Sequence, residues 1–278
     1  MRASRLRLSR KQRLKELQKI RDYVENVSRG VNRLKIVPRV AYKFPFDLVG
    51  LGTLSKAFGI ARACLKLLAN DCPDEAYGLS RSLVECATNL RYLTAVRSER
   101  DKRSRDFVKF AMADKAFWYH YALKSSKGPR EKAELRAYAK QMGITDNPKL
   151  ARQHWSGEAG SFVWDTTLQN HPVDGLRTLE HRKKAYAVDY YQTSAFVHCS
   201  LVAIDNYCPE DGATFRLARS SLHRETFQRT LFVVLTHVHD AIQYVLDGLN
   251  IDSPARIDSL YLKTLKKLKP IASRNSTN

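Results

Sequence analysis

The chain has 278 residues, 44% of them apolar and 27% charged, enough to bury the core of one large helical domain or two small ones. Its 48 Lys and Arg against 28 Asp and Glu leave +20 at neutral pH, a balance that favours polyanionic partners, nucleic acid first and an anionic membrane surface second. No run of 18 apolar residues marks a membrane span, and the amino-terminal stretch lacks the apolar core of a secretory signal.

Strand signals are nearly absent, and apolar spacings of three and four recur instead. The first stripe, Leu14, Leu17, Val24, Val27, Val31 and Leu34, lies on a basic helix closed by Pro38 and the turn at Phe44-Pro45-Phe46. A second helix is predicted over about 47–69, with Leu48, Leu51, Leu54 and Phe58 inward and Asn70 and Pro73 ending it. A third covers about 74–97, and a fourth, over about 102–125, is rich in aromatic side chains. A fifth covers about 130–142 and stops at Gly143. Residues 143–175 interleave Gly, Pro, His and Trp and read as a loop-rich insertion. Long helices follow over about 180–206 and 223–249, then a basic amphipathic segment that ends at Pro270. The fold class is all-α: an irregular bundle of about seven to nine helices with that insertion.

Charge divides the chain unevenly. Residues 1–40 hold 13 basic and 3 acidic side chains, and residues 251–278 hold 6 and 2. The expected organisation is a basic amphipathic arm at 1–40, a helical domain at 41–250 and a basic tail at 251–278. Arg2, Arg5, Arg7, Arg10, Lys11 and Arg13 are the candidate phosphate contacts of the first arm. It has few aromatics and so lacks the stacking surface of a single-strand platform. The same stripe can instead lie on anionic lipid, or pack on the body or on a second subunit, a partner protein or another copy of the chain.

The five cysteines, Cys64, Cys72, Cys86, Cys199 and Cys208, form no CxxC pair and read as reduced thiols in a cytoplasmic protein. The Arg-rich start would also fit a mitochondrial transit peptide in a eukaryotic source. No glycine-rich phosphate loop and no Glu-x-x-His occurs, so no cofactor is expected. His237-Val238-His239-Asp240 invites a metal, but residues two apart on a helix point about 200° apart and cannot share one ion.

One internal constellation can carry chemistry. Arg81 and Glu85 stand four apart on the third helix, at ion-pair spacing. Tyr190, Ser194 and His198 also stand four apart, stacking a phenol, a hydroxyl and an imidazole on one helical face. Read as a site, the five residues suggest RNA phosphodiester cleavage, with His198 as acid or base and Arg81 stabilising the phosphorane charge. Read structurally, they form a polar ladder between two helices. Helical ribonucleases of the HEPN type place a His shortly after an Arg at a helix start, and here only Arg216 and His223 have that spacing.

Two segments resemble a known family. Pro73-Asp74-Glu75-Ala76 leads into Arg81-Ser82-Leu83-Val84-Glu85 and on to Asn89-Leu90-Arg91-Tyr92-Leu93. His154-Trp155-Ser156-Gly157 is followed by Tyr190, Ser194 and Val197-His198-Cys199-Ser200. In order and spacing they resemble the bacterial all-helical domain-of-unknown-function family 5677 over about residues 50–210. The resemblance implies a helical bundle whose recurrent polar residues match Arg81, Glu85, Ser194 and His198. It implies no activity.

Overall fold

The computed structural model describes residues 9–39, 43–126, 128–141 and 224–272. Among these residues the fold is all-α, with seven α-helices, one 3-10 turn and no strand. The insertion at 143–175 and the helix expected over about 180–206 lie outside the described residues.

Helix α1 (Arg10–Arg33) starts at a capping box. Gln12 donates its backbone N–H to Ser9 Oγ at 3.2 Å, and Ser9 donates its own to Gln12 Oε1 at 3.0 Å. Two otherwise unsatisfied helix-end groups are thus closed. Helix α2 (Pro45–Ala69) opens on a proline, whose missing N–H costs nothing in a first turn. Its buried Asp47 accepts the backbone N–H of Arg39 at 2.9 Å and both arms of the Arg39 guanidinium at 2.9 and 2.8 Å. That guanidinium holds the Asp47 carboxyl below the usual carboxylate range. Asp71, at φ 58°, turns the chain sharply into α3 (Pro73–Thr94), again opened by proline. A 3-10 turn at Arg97–Glu99 separates α3 from α4 (Arg100–Ser125), and α5 (Pro129–Gln141) follows. The remaining described helices are α6 (Arg224–Gly248) and α7 (Ala255–Ala272).

Among the described helices the bundle is built around α2, α3 and α6, with α3 and α6 sharing the largest interface. One continuous apolar cluster takes in all three together with α1 and α7. Ile20 and Val24 of α1, Leu83 and Leu90 of α3, and Leu231 and Ile242 of α6 are wholly buried in it. A smaller cluster holds Phe46, Val49 and Leu93. Phe46 lies there against Gly50 and Gly248, close enough to leave no room for a side chain at Gly248. Arg100 reaches over the Phe46 ring and donates to the Gly248 carbonyl at the end of α6.

Most of the expected helices stand within a few residues of their predicted ends. Two side chains do not follow the expected stripe: Leu14 and Leu48 are 48% and 57% exposed. Each lies at the edge of its apolar arc, where spacing alone does not decide burial. No apolar run reaches 18, yet α2 is long and apolar enough, by length and composition, to cross a membrane. Its buried side is taken up against α1, α3, α4 and α6. The helices of both basic arms are walls of the bundle: Leu17, Ile20, Val27, Ile257 and Tyr261 belong to the shared core. For α1, packing on the body is the arrangement the structure shows.

Candidate functional site

Arg81 and Glu85 meet on α3, with Nε to Oε1 at 3.0 Å. Their side chains are 19% and 45% exposed, so this is a surface-screened i,i+4 pair contributing about 0.3–0.5 kcal/mol at most. Tyr190, Ser194 and His198 lie outside the described residues. The structure therefore brings together two of the five residues of the internal constellation.

Of the six arm cations, Arg2, Arg5 and Arg7 also lie outside the described residues. Arg10 and Lys11 are exposed on the first turn of α1, which carries no acidic residue. That turn adds their charge to the positive end of the helix dipole. Arg13 is turned inward: Nη2 lies 3.0 Å from Asp71 Oδ1 and ties α1 to the turn between α2 and α3.

The two basic stretches are far apart in sequence and adjacent in space. Helices α1 and α7 pack on each other, with the Tyr23 and Tyr261 rings 6.4 Å apart. The exposed cations Lys11, Lys15 and Arg29 of α1 and Lys263, Lys266 and Lys267 of α7 therefore occupy neighbouring helices. An open depression of ≈ 550 Å³ runs along α7 past Asp258, Leu262, Lys263 and Lys266.

Beneath this surface lies a polar cluster that sequence reasoning missed. The Tyr23 hydroxyl is 3.2 Å from His239 Nδ1, and the His239 ring stacks on Tyr261 at 3.9 Å and 5°. Burial, with the nearby Tyr261, Asp240 and Asp258, raises the Tyr23 phenol well above its ordinary value. Tyr23 thus keeps its proton, and its hydroxyl shares one hydrogen bond with Nδ1 whose donor is set by the imidazole tautomer. Nε2 faces Asp258 Oδ1 at 3.8 Å, and the same oxygen accepts Gln243 Nε2 at 2.6 Å. Tyr23 and His239 are 2% and 1% exposed, so the centre of the cluster is buried between α1, α6 and α7, and Asp258 is its member at the surface. The neighbouring His237 turns to Asp240, Nδ1 to Oδ2 at 3.6 Å. Among the described residues no group of three metal-ligating side chains gathers. The signal for this cluster was Tyr23 itself, a phenol on the inner stripe of α1 that needs a buried partner.

Of the three described cysteines, Cys64 and Cys86 are buried in the core and Cys72 is partly exposed. Burial pushes the Cys64 thiol up to about 12 and the Cys86 thiol up to about 11.

The sequence model of the family of unknown function DUF5677 matches residues 47–215. No curated protein and no solved structure matches the chain. The matched region includes Arg81 and Glu85 and stops short of α6 and α7. It begins after α1, so the basic surface lies outside it.

Proposed function

The chain belongs to the family of unknown function DUF5677, and from that premise we propose that it is a nucleic-acid-associated helical protein whose basic α1–α7 surface holds the phosphate backbone. The observation that supports this is the packing of two separate basic stretches on each other, which concentrates charge on adjacent helices. Charge on a rigid wall of the bundle loses little conformational freedom when it meets a polyanion.

The test is binding of labelled RNA and duplex DNA at two salt concentrations. It compares the full chain with a variant carrying Lys11, Lys15, Lys263, Lys266 and Lys267 as Gln. Binding that falls steeply with salt and weakens in the variant supports the reading. No binding at low salt removes it. A fragment of residues 41–250 is not a usable control, because it lacks the buried faces of α1 and α7.

The cleaving form of this reading rests on Arg81 and His198. Folded Arg81→Ala and His198→Ala proteins that bind RNA and have lost cleavage support it. Unchanged cleavage sinks it.

A second reading is a non-enzymatic module that docks a partner protein or an anionic membrane surface. It is favoured by Leu14 and Leu262, 48% and 39% exposed among the cations of α1 and α7. Sedimentation with anionic vesicles that is lost in Leu14→Gln/Leu262→Gln protein, without nucleic-acid binding, moves it to first place.

A further inference from the structure

His239 of α6 stands where α1 and α7 meet, and both helices engage its ring. Nδ1 lies 3.2 Å from the Tyr23 hydroxyl of α1. Nε2 lies 3.8 Å from Asp258 Oδ1 of α7, within ion-pair range. The Tyr261 ring of α7 lies parallel to the imidazole at 3.9 Å. A neutral imidazole carries one N–H and can donate to one of these oxygens. An imidazolium carries two, and here each points to an acceptor: the Tyr23 hydroxyl, which accepts as readily as it donates, and the Asp258 carboxylate. The Tyr261 face favours the same form, because the face of an aromatic ring attracts a cation.

Among the described residues the charges nearby are mainly carboxylates. From α7 the ring meets Asp258, and on α6 itself Asp240 stands one residue away, 3.6 Å from the other imidazole, His237. The fields of Asp240 and Asp258 both reach Tyr23, the titratable group that α1 places on the ring. Lys19, one turn before Tyr23 on α1, is matched by Glu16 at 3.8 Å. The α7 cations Arg256, Lys263, Lys266 and Lys267 are on its exposed side. Burial opposes a charge on His239, and Asp258, 44% exposed, is partly screened by water, so the gain is modest.

We infer that His239 is a pH-sensitive latch for α7: in mild acid it takes up a second proton and ties α7, through Asp258, to α1 and α6, and above neutral pH that tie weakens. Histidine is the side chain whose charge ordinarily changes near neutral pH. The stabilisation is fully present below the ordinary value of an unfolded imidazole, about pH 6.5, and is lost as pH rises through the higher folded value. Because α7 carries Lys263, Lys266 and Lys267, the latch sets how firmly those cations are held beside α1, whatever the basic surface binds.

The experiment melts four full-length proteins at pH 5.5 and 8.0: parent, Asp258→Asn, His239→Gln and the double variant. Asn keeps an oxygen for Gln243 and removes the charge. The expected result is that Asp258→Asn lowers Tm by about 1–3 °C more at pH 5.5 than at pH 8.0, and that this difference vanishes when His239 is Gln. An equal loss at the two pH values overturns the inference. So does a pH-dependent loss that persists without His239. Where the His239 variants do not fold, the imidazole NMR signal of His239 in parent and Asp258→Asn proteins decides. A titration midpoint that falls in Asp258→Asn supports the latch. An unchanged midpoint, or a ring that stays neutral to pH 5.5 in the folded parent, overturns it.

Discussion

Replacing Tyr23 by Phe deletes one hydroxyl from the middle of the bundle and tests the polar link between α1, α6 and α7. The hydroxyl lies 3.2 Å from His239 Nδ1, and both side chains are almost wholly buried. Without it the imidazole nitrogen loses that hydrogen-bond partner in a buried place, which costs about 1–3 kcal/mol. For a chain of this size that lowers Tm by about 2–6 °C. The pH dependence carries a sign. The folded-state phenol is raised above 10.0, so the folded protein keeps a proton that the unfolded chain releases. The stabilisation is fully present below pH 10 and is lost as pH rises through the higher folded value, at up to about 1.4 kcal/mol per pH unit. Urea unfolding of parent and Tyr23→Phe proteins at pH 7, 10 and 11 measures both effects. The gap between them should be widest at pH 7 and shrink at pH 11. A variant within about 0.3 kcal/mol of the parent at pH 7, with no change of the gap at high pH, refutes the role given to this contact.

Gly248→Ala places a Cβ 2.2 Å from Phe46 Cε1 and 2.8 Å from Thr94 Cγ2, and should cost about 1–3 kcal/mol or more in urea unfolding. Gly30→Ala meets nothing within 4 Å and should instead stabilise α1 by about 0.5–1 kcal/mol. Asp47 is held below its ordinary 3.8 by Arg39, so its contribution is present above that pH and is lost as pH falls through the lower folded value. Asp47→Asn should flatten the acid limb of the stability profile and lower stability at pH 7 by about 1–2 kcal/mol, discounted because Arg39 is 41% exposed. At pH 8 a thiol reagent followed by peptide mapping should find Cys64 and Cys86 protected until the chain unfolds, since burial raises both. Labelling of either in the native protein at the rate of Cys72 contradicts their burial.

The helices were legible because their punctuation is chemical. Pro45 and Pro73 open α2 and α3, Asn70 and Asp71 close the turn between them, and the apolar stripes repeat at helical spacing. The candidate site was legible only within a helix. Arg81 and Glu85 pair because four residues make one turn, a local rule that sequence carries. Tyr23 and His239 are 216 positions apart, and nothing local brings them together. The neighbourhood of α1 and α7 was hidden for the same reason: two basic segments read as separate arms until their buried faces are seen to share one core. Arg13 shows the limit of counting charge, since Asp71 engages a cation that composition assigns to a polyanion.

The matched family region and the folded unit are different things, and the difference can be measured. Residues 47–215 include α2 and α3 but not α6, the principal partner of α3 among the described helices. Leu231, Leu235, Ile242 and Leu246 of α6 are 1% exposed or less. At about 1.5–3 kcal/mol for each buried side chain, these four contribute about 6–12 kcal/mol before the faces they cover are counted. That equals the whole net stability of an ordinary domain, about 5–15 kcal/mol. Residues 47–215 expressed alone should therefore show no cooperative melt. Adding residues 224–272 as a separate polypeptide should restore one if the two pieces refold together. A fragment that melts cooperatively by itself, at a temperature near that of the full chain, would mean that α6 covers the core without being needed to form it.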